Sequence, residues 1–193
     1  MKVTPLALAE VLEVVPEKHG DARGFFSETY SADRFAKAKI PMSWVQDNHS
    51  FSAPKFVLRG LHYQAPPFAQ DKLIRVIKGS IFDVAVDIRR GSPTFGRWCS
   101  LVVSASKWNQ IFVPKGFAHG FLTLEPDTEV IYKVSAPYAP DCDRVICFSD
   151  PDIGIDWPLE GAEPVLSAKD RAAPRLREVA ADFSYQTADG MVS

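Results

Sequence analysis

The stretch Ile81-Phe82-Asp83-Val84-Ala85-Val86-Asp87-Ile88 decides the fold class. Apolar side chains at every second position share one face, and Asp83 and Asp87 lie on the other, which is the period of a β-strand. The same period recurs in later segments, at residues 98–103, 111–113, 120–124 and 129–134. The alternation therefore predicts a chain built mainly of short β-strands.

Turn residues separate these segments. Gly79, Gly91-Ser92-Pro93 and Pro114-Lys115-Gly116 are the clearest breaks. Short strands divided by such turns are typical of an antiparallel β-sandwich or barrel. Only two helices are expected, both peripheral: residues 32–39, with Ser31 as the N-cap, and residues 167–181, whose bounds are disturbed by Pro174.

Length and composition favour a single domain over residues 1–185. The tail, residues 186–193, has little apolar content and is expected to be flexible. A chain of 193 residues is large enough to bury a core without disulfides or a structural metal. The formal net charge of -2 gives no reason to expect nucleic-acid or membrane binding.

The cysteines and the N-terminus indicate the compartment. Cys99, Cys142 and Cys147 form no C-x-x-C pair, and an odd number of thiols in such a chain is typical of reduced cysteines. The N-terminus lacks the basic-then-apolar pattern of a signal peptide, and no apolar run approaches membrane-spanning length. We expect a soluble cytoplasmic enzyme.

The segment Arg59-Gly60-Leu61-His62-Tyr63-Gln64, followed by Gln70-Asp71-Lys72-Leu73, carries the chemistry. On consecutive strands it places a histidine that can take a proton near neutral pH and a lysine that can stabilise an oxyanion. Arg59 adds a planar, bidentate grip for a phosphate. These groups suit the enolisation of a carbonyl compound that carries a phosphate handle.

The four histidines raise the alternative of a metal site. Residues 114–119 match the second half of the cupin metal motif, P-x-G-x-x-H, which ends at His119. The first half normally supplies His-x-His, whereas this chain has His62 and then Gln64. Because such sites generally need three protein ligands, no metal is expected. His19 and His49 are interpreted as loop or hydrogen-bonding residues.

Ordered motifs along the chain, from about residue 2 to residue 183, resemble the sugar-nucleotide 3,5-epimerases that act on dTDP-4-dehydro-6-deoxyglucose. The matching segments are Asp21-x-Arg-Gly-Phe-Phe-x-Glu28, Gln46-Asp-Asn-His-Ser50, Leu58-Arg-Gly-Leu-His-Tyr-Gln64, Gln70-Asp-Lys-Leu73, Asp83-Val-Ala-Val-Asp-Ile-Arg89, Ser92-Pro-Thr-Phe-Gly96, Pro114-Lys-Gly-Phe-Ala-His-Gly-Phe121, Tyr132-Lys133, Tyr138-Ala-Pro140, Asp150-Pro151, Asp156-Trp-Pro158 and Leu166-Ser-Ala-Lys-Asp170. The resemblance implies an all-β, cupin-type antiparallel β-sandwich (a jelly roll), a homodimer, and no metal or other cofactor.

The resemblance also implies roles for individual residues. His62 matches the general base and Tyr132 the general acid. Asp170 matches the carboxylate that partners the histidine, and Lys72 the residue that faces the C4 oxygen. The matching substrate-binding positions are His119, the nucleotide or diphosphate contacts Arg23, Glu28, Gln46, Asn48, Arg59 and Lys169, and the aromatic contacts Phe26 and Tyr138.

Three positions depart from the family pattern. Asp143, a further substrate-binding position, aligns where relatives often carry glutamate, Phe51 replaces a residue that is commonly polar, and Phe148 stands where tryptophan is common. None of them belongs to the acid-base set. The segment 21–28 alternates like a strand, and in the family it reaches across a two-fold interface to complete the partner's nucleotide site.

Three functions remain open at this point. The first is an isomerase that inverts C3 and C5 of dTDP-4-dehydro-6-deoxy-D-glucose to give dTDP-4-dehydro-L-rhamnose. The second is a single-centre epimerase, acting at C3 or C5 alone on a related 4-keto deoxysugar nucleotide. The third is a non-catalytic cupin that binds a sugar nucleotide. The joint presence of His62, Tyr132, Lys72 and Asp170 argues against mere binding, since binding needs no pair of proton-transfer groups.

Overall fold

The computed structural model describes residues 1–40 and 43–185. The strands are β1 (Lys2–Pro5), β2 (Leu12–Val15), β3 (His19–Asp21), β4 (Gly24–Phe26), β5 (Gln46–Ser52), β6 (Leu58–Gln64), β7 (Lys72–Lys78), β8 (Ser80–Asp87), β9 (Trp98–Ser104), β10 (Gln110–Val113), β11 (Phe117–Thr123), β12 (Thr128–Val134) and β13 (Asp143–Val145). The helices are α1 (Ala32–Lys37) and α2 (Ala168–Arg171), with short 3₁₀ turns at Pro140–Cys142 and Leu176–Glu178. Strands dominate, as the sequence predicts.

The strands form two main sheets, and every pair within them is antiparallel. The six-stranded sheet has the order β1-β2-β10-β7-β12-β5, and the five-stranded sheet has the order β13-β6-β11-β8-β9. β3 and β4 form a separate hairpin, with His19 opposite Phe26. The all-β antiparallel sandwich is therefore confirmed, and each of the predicted strands lies within one to three residues of an observed strand.

An apolar core fills the space between the two main sheets. The six-stranded sheet contributes Ile74 and Val130, and the five-stranded sheet contributes Ile81, Val103 and Phe121. These side chains are nearly or fully buried. Because side chains alternate along each strand, the next residues of the same strands point to the outside of the sandwich.

The outer faces of both sheets are covered as well. Phe35 of α1 and Ile40 pack on the outer face of the six-stranded sheet. The segment after β13, which includes Ile153 and Trp157, packs on the outer face of the five-stranded sheet. β8 is consequently buried on both sides, and its Asp83 and Asp87 are 0% exposed.

The predicted helices are only partly correct. α1 begins where expected but ends at Lys37, and Ser31 precedes it without a side-chain capping hydrogen bond. The long helix expected over residues 167–181 is wrong: α2 has four residues, and a 3₁₀ turn follows at Leu176–Glu178. Pro174, which lacks an N–H and restricts the residue before it, lies between the two short pieces.

The described helices and the three cysteines relate to the cellular location expected from the sequence. No helix in residues 1–40 and 43–185 is long and apolar enough to cross a membrane. Cys99 is buried, Cys142 and Cys147 are partly buried, and all three thiols are free. The single domain over residues 1–185 stays a prediction, and the tail expected to be flexible, residues 186–193, lies outside the described residues.

Strands β6 and β11 approach closely at two glycines. Gly60 has φ of +132°, and a Cβ placed there would lie 2.5 Å from the Gly120 Cα and 2.9 Å from the His119 backbone oxygen. Both contacts are to backbone atoms, so rotation of a side chain cannot relieve them. The close approach brings His62 and His119 to paired positions on adjacent strands.

We expect Gly60→Ala to lower the free energy of unfolding by roughly 3 kcal/mol or more, because it adds a backbone clash to an unfavourable φ. Gly24→Ala is the matched control: Gly24 has nearly the same φ, +130°, but a Cβ added there would have no atom within 4 Å. Urea denaturation of both variants measures the difference. Equal losses of stability would contradict the close-approach interpretation.

Candidate active site

Four residues that are far apart in the sequence line one cavity inside the sandwich. His62 lies on β6, Lys72 on β7, Tyr132 on β12 and Asp170 on α2. The cavity has a volume of about 260 Å³. We call it the Ser50 compartment, and its lining residues are Ser50, Arg59, His62, Lys72, His119, Phe121, Tyr132, Ser167 and Asp170. The structure thus brings together the four residues that the sequence predicts as catalytic.

His62 is held by a buried carboxylate. Its Nε2 lies 2.5 Å from Oδ1 of Asp170, whose side chain is 4% exposed against 34% for His62. Ser167 donates to the other oxygen of Asp170 at 2.7 Å. Burial alone raises the pKa of Asp170, but the hydrogen bonds from His62 and Ser167 outweigh it and hold that pKa below its ordinary value.

The same contact fixes the tautomer of His62. An ionised carboxylate only accepts hydrogen bonds, so Nε2 carries the proton that points at Asp170. In the neutral ring the remaining nitrogen, Nδ1, then carries the free lone pair. His62 can therefore accept a proton at Nδ1 while Asp170 stabilises the resulting imidazolium.

Lys72 is buried inside the sandwich, next to His62. Its Nζ donates to the backbone oxygen of His62 at 3.3 Å. Burial lowers the pKa of Lys72 to about 8, and the negative charges of Asp83 and Asp143 oppose this shift. A mainly protonated amine is thus available at neutral pH, in surroundings where its charge acts strongly on nearby atoms.

Tyr132 lies on the other main sheet from His62. Burial raises the pKa of its hydroxyl above the ordinary value of 10.0, while the charge of Arg59 opposes this shift. Tyr132 is accordingly protonated at neutral pH and can donate a proton. Its partly buried ring packs against the core between the sheets, and this packing holds the side chain in the cavity.

His119 belongs to a second histidine–carboxylate pair. Its Nε2 lies 2.9 Å from both carboxylate oxygens of Asp83 on β8. Burial raises the pKa of Asp83, and the neighbouring charges of His119 and Lys72 oppose the rise. Asp83 was not predicted as a site residue; its sequence signals were its position opposite the apolar face of the strand and its place in the matching segment 83–89.

A second cavity, of about 190 Å³, shares His62, Lys72 and Tyr132 with the first. We call it the Tyr138 compartment. Its other lining residues are Gln46, Asn48, Tyr63, Gln64, Gln70, Tyr138, Asp143 and Lys169. Five predicted substrate-binding residues meet here: Gln46, Asn48, Tyr138, Asp143 and Lys169. The two compartments therefore adjoin at the acid-base residues, and we refer to the two together as the slot.

Hydrogen bonds organise the Tyr138 compartment. Gln46 donates from its amide to Asn48 at 2.8 Å, and Lys169 forms an ion pair with Asp143. Gln64, which the sequence analysis did not assign to the site, accepts a hydrogen bond from the Ala139 N–H at 2.8 Å. It thereby holds the loop on which Tyr138, 58% exposed, stands.

Five predicted binding residues lie outside the Tyr138 compartment, and one of them, His119, lines the Ser50 compartment. Arg59 lines the Ser50 compartment rather than the Tyr138 compartment, and it donates to the backbone oxygen of Phe51 at 3.1 Å. The three N-terminal residues line neither compartment of their own chain. Arg23 pairs with Asp21, Phe26 is 71% exposed, and Glu28 pairs with Arg34.

Two larger cavities are centred elsewhere, although Asn48 and Tyr132 of the slot also line the first of them. One, of about 370 Å³, opens on the outer face of the six-stranded sheet, where Asp47 and Lys133 pair at 2.9 Å. The other, of about 450 Å³, is lined by Arg97 and Asp152 with neighbouring residues. Neither is lined by both members of a histidine–carboxylate pair, so volume does not identify the site.

The arrangement of the histidines bears on metal binding. In residues 1–40 and 43–185, no cluster of three or more histidine, cysteine, aspartate or glutamate side chains could hold a metal ion. His62 and His119 each direct Nε2 at a carboxylate of their own. Both carboxylates therefore serve the imidazoles as hydrogen-bond partners.

Comparisons with known proteins show which proteins the chain is similar to. Residues 5–178 match the family model for dTDP-4-dehydrorhamnose 3,5-epimerase. A dTDP-4-dehydrorhamnose 3,5-epimerase from Pseudomonas aeruginosa is 51% identical over 172 residues, which cover 89% of this chain and 93% of that protein.

Solved structures share this fold. The dTDP-6-deoxy-D-glucose-3,5-epimerase from Legionella pneumophila, in complex with dTDP-4-keto-L-rhamnose, has a TM-score of 0.92, 43% identity, and coverage of 96% of this chain and 99% of that one. A 3'-monoepimerase from Streptomyces bikiniensis, in complex with dTDP-quinovose, has a TM-score of 0.84, 35% identity, and coverage of 90% and 87%. The predicted cupin-type β-sandwich is confirmed.

Replacing Lys72 by methionine is expected to stabilise the fold most at neutral pH. The pKa of Lys72 is about 8 in the folded chain against an ordinary 10.5. Between these two pH values the unfolded state therefore binds more protons than the folded state. As the pH rises through this range, the lysine contributes an increase in the free energy of unfolding of the wild type. Lys72→Met lacks this gain.

The stability advantage of Lys72→Met over the wild type should consequently shrink by about 2 kcal/mol between pH 7 and pH 9.5. Urea denaturation of both proteins at the two pH values gives the number, and groups whose pKa does not depend on Lys72 cancel. An advantage that stays constant or grows with pH would show that Lys72 is not held in a charge-disfavouring site.

Proposed function

The chain belongs to the dTDP-4-dehydrorhamnose 3,5-epimerase family, and we propose that it inverts both C3 and C5 of dTDP-4-dehydro-6-deoxy-D-glucose to give dTDP-4-dehydro-L-rhamnose. As an epimerase it is an isomerase. The observation that carries the proposed mechanism is the contact of His62 with buried Asp170 in a cavity that also holds Tyr132 and Lys72.

Proton removal is assigned to His62. The C4 ketone of the substrate acidifies the hydrogens on C3 and C5, so that a base of ordinary strength can remove them. Nδ1 of His62 takes the proton, and Asp170 stabilises the imidazolium through Nε2. The carboxylate itself stays ionised, since its hydrogen bonds keep its pKa low.

The enolate that forms carries its charge on the C4 oxygen, and Lys72 is assigned to that oxygen. A protonated amine held inside the sandwich stabilises a developing oxyanion more strongly than the same amine in water. Epimerisation has no net change in oxidation state, so no nicotinamide takes part. Lys72 supplies the positive charge that a Lewis acid provides in other enolising enzymes.

Proton return is assigned to Tyr132. Inversion requires that the proton come back on the opposite side of the ring from the side on which it left. His62 and Tyr132 lie on opposite sheets of the sandwich and line the same cavity, which suits delivery from two sides. The raised pKa of the Tyr132 hydroxyl keeps it protonated until the enolate forms.

The nucleotide is assigned to the Tyr138 compartment. Exposed Tyr138 offers a flat face for base stacking, and Gln46 and Asn48 offer amide groups beside it. Lys169, paired with Asp143, is the cation of this compartment that is placed for a ribose or phosphate. This assignment leaves the hexose at the middle of the slot, against His62.

The assembly proposed is a C2 homodimer with shared sites. Arg23 and Phe26 stand exposed on the β3–β4 hairpin and line neither compartment of their own chain. A two-stranded hairpin by itself is marginally stable, so packing against a partner subunit would stabilise it. Reaching across a two-fold axis gives both residues a nucleotide to contact. The cytoplasm remains the expected location, consistent with the free thiols.

A single-centre epimerase is the second candidate. The 3'-monoepimerase from Streptomyces bikiniensis shares the fold at 35% identity, so the fold alone does not decide between one inversion and two. Product analysis by proton NMR separates them, because one or two ring hydrogens change orientation. A protein that only binds the nucleotide would give no product.

His62→Ala and Tyr132→Phe are each expected to lower kcat by ~10²–10⁴-fold, since each removes a positioned proton-transfer group. The affinity for dTDP should change little, because neither side chain is assigned to the nucleotide. Steady-state kinetics and calorimetric titration with dTDP measure the two effects. Near wild-type turnover by either variant would overturn the proposed mechanism.

The shared site is tested by mixing two inactive chains. A heterodimer of Arg23→Ala and His62→Ala chains contains one intact pocket and one doubly damaged pocket, so subunit exchange should raise activity above that of either parent. Mass spectrometry of the intact dimers verifies the exchange. If heterodimers form and no activity returns, Arg23 does not act in the partner's pocket.

A further inference from the structure

Ser50 stands in the slot without an assigned role. Along β5, the side chains of Asn48 and Ser50 face the slot, while His49 is exposed and lines the cavity on the outer face of the sheet. Asn48 pairs with Tyr132 and Ser50 pairs with Val130 on the neighbouring strand. Two residues along a strand span roughly 7 Å. Ser50 therefore lies one step further along the slot than Asn48, in the Ser50 compartment and away from the exposed ring of Tyr138.

The hydroxyl of Ser50 is buried and unsatisfied. Its oxygen has no hydrogen-bond partner among residues 1–40 and 43–185, although it is shielded from solvent. The neighbouring serine differs, because Ser52 receives a hydrogen bond from Arg59 at 3.4 Å. Leaving a buried polar group unpaired is unfavourable, so such groups call for an explanation. Ser50 shares its compartment with His62 and Tyr132, where the proposed function places the substrate.

We propose that Ser50 hydrogen-bonds the C2 hydroxyl of the bound hexose and selects substrates that carry it. The inference rests on the proposed function, which puts the C4 oxygen at Lys72 and the reacting carbons between His62 and Tyr132. A 6-deoxyhexose has no hydroxyl on C6. The C3 hydroxyl moves to the other face during inversion, whereas the C2 hydroxyl keeps its configuration in substrate, enolate and product.

A fixed serine suits that constant hydroxyl. Ser50 can donate to or accept from it throughout the reaction, since a hydroxyl does both. A substrate without the C2 hydroxyl would leave Ser50 unpaired again, and sites built to pair a substrate hydroxyl discriminate against analogues that lack it. Ser50 thus becomes a specificity-determining residue of the hexose position.

The test compares Ser50→Ala with the wild type on two substrates, dTDP-4-dehydro-6-deoxy-D-glucose and its 2-deoxy counterpart. We expect kcat/KM for the first substrate to fall about tenfold, the size of one hydrogen bond. The value for the 2-deoxy substrate should stay the same or rise. The affinity for dTDP should be unchanged, and Tm should be unchanged or higher, because an unpaired buried hydroxyl is removed. Ser100→Ala on β9, away from both compartments, is the control for a serine-to-alanine change in a strand.

Each other result overturns the assignment in a distinct way. Weaker binding of dTDP would show that the Ser50 hydroxyl contacts the diphosphate. Equal losses of kcat/KM on both substrates would show that Ser50 does not contact the C2 hydroxyl. A drop in Tm of several degrees would reveal a structural role for Ser50 within the chain. If the wild type itself converts neither substrate, the proposed function fails; if it converts the first and Ser50→Ala matches it, only the Ser50 assignment fails.

Discussion

The contact between His62 Nε2 and Asp170 is the interaction on which the candidate site depends. It joins β6 to the short helix α2 across 108 positions of sequence, and it sets the tautomer that leaves Nδ1 free to accept a proton. Ser167 holds Asp170 in place from the helix N-terminus. α2 has only four residues and is too short to be stable by itself. Loss of the contact would therefore remove both the position of Asp170 and the tautomer of His62.

The space between the two sheets holds both an apolar core and the buried polar residues of the candidate site. Ile81 and Val103 belong to an apolar core between the sheets, while Lys72, Asp83 and His119 place polar groups in the same layer. Burying charges is tolerated only when they are paired and hydrogen-bonded. The pairing of His119 with Asp83 and the nearby charge of Lys72 meet that condition. The same burial thus excludes solvent from these polar groups and shifts their pKa values. Burying them lowers stability, and the apolar core of the surrounding strands offsets this loss.

Alternation of apolar and polar residues predicted β8 to β12, and it remained visible in β8 because the inner face of that buried strand carries Asp83 and Asp87. It did not predict β1, β2, β5 or β13. The helix predicted over residues 167–181 is wrong because the disturbance noted at Pro174 is a complete break, which leaves α2 and a separate 3₁₀ turn. The chemistry of the segment 59–73 singled out His62 and Lys72, and the family motifs added Tyr132 and Asp170. The structure brings these four predicted catalytic residues into one cavity. Asp83 was missed because an acidic residue on a strand carries no sign of its partner until β8 and β11 are paired.

Deuterium incorporation from heavy water into the 4-keto sugar nucleotide tests the central claim most directly. A base and an acid acting through an enolate on either side of the ring exchange hydrogen at C3 and at C5, and mass spectrometry with NMR locates each deuterium. The account predicts deuterium at both carbons with the wild type, appearing together with inversion. Inversion without any incorporation from solvent would contradict proton transfer by His62 and Tyr132, and exchange confined to one carbon would contradict inversion at two.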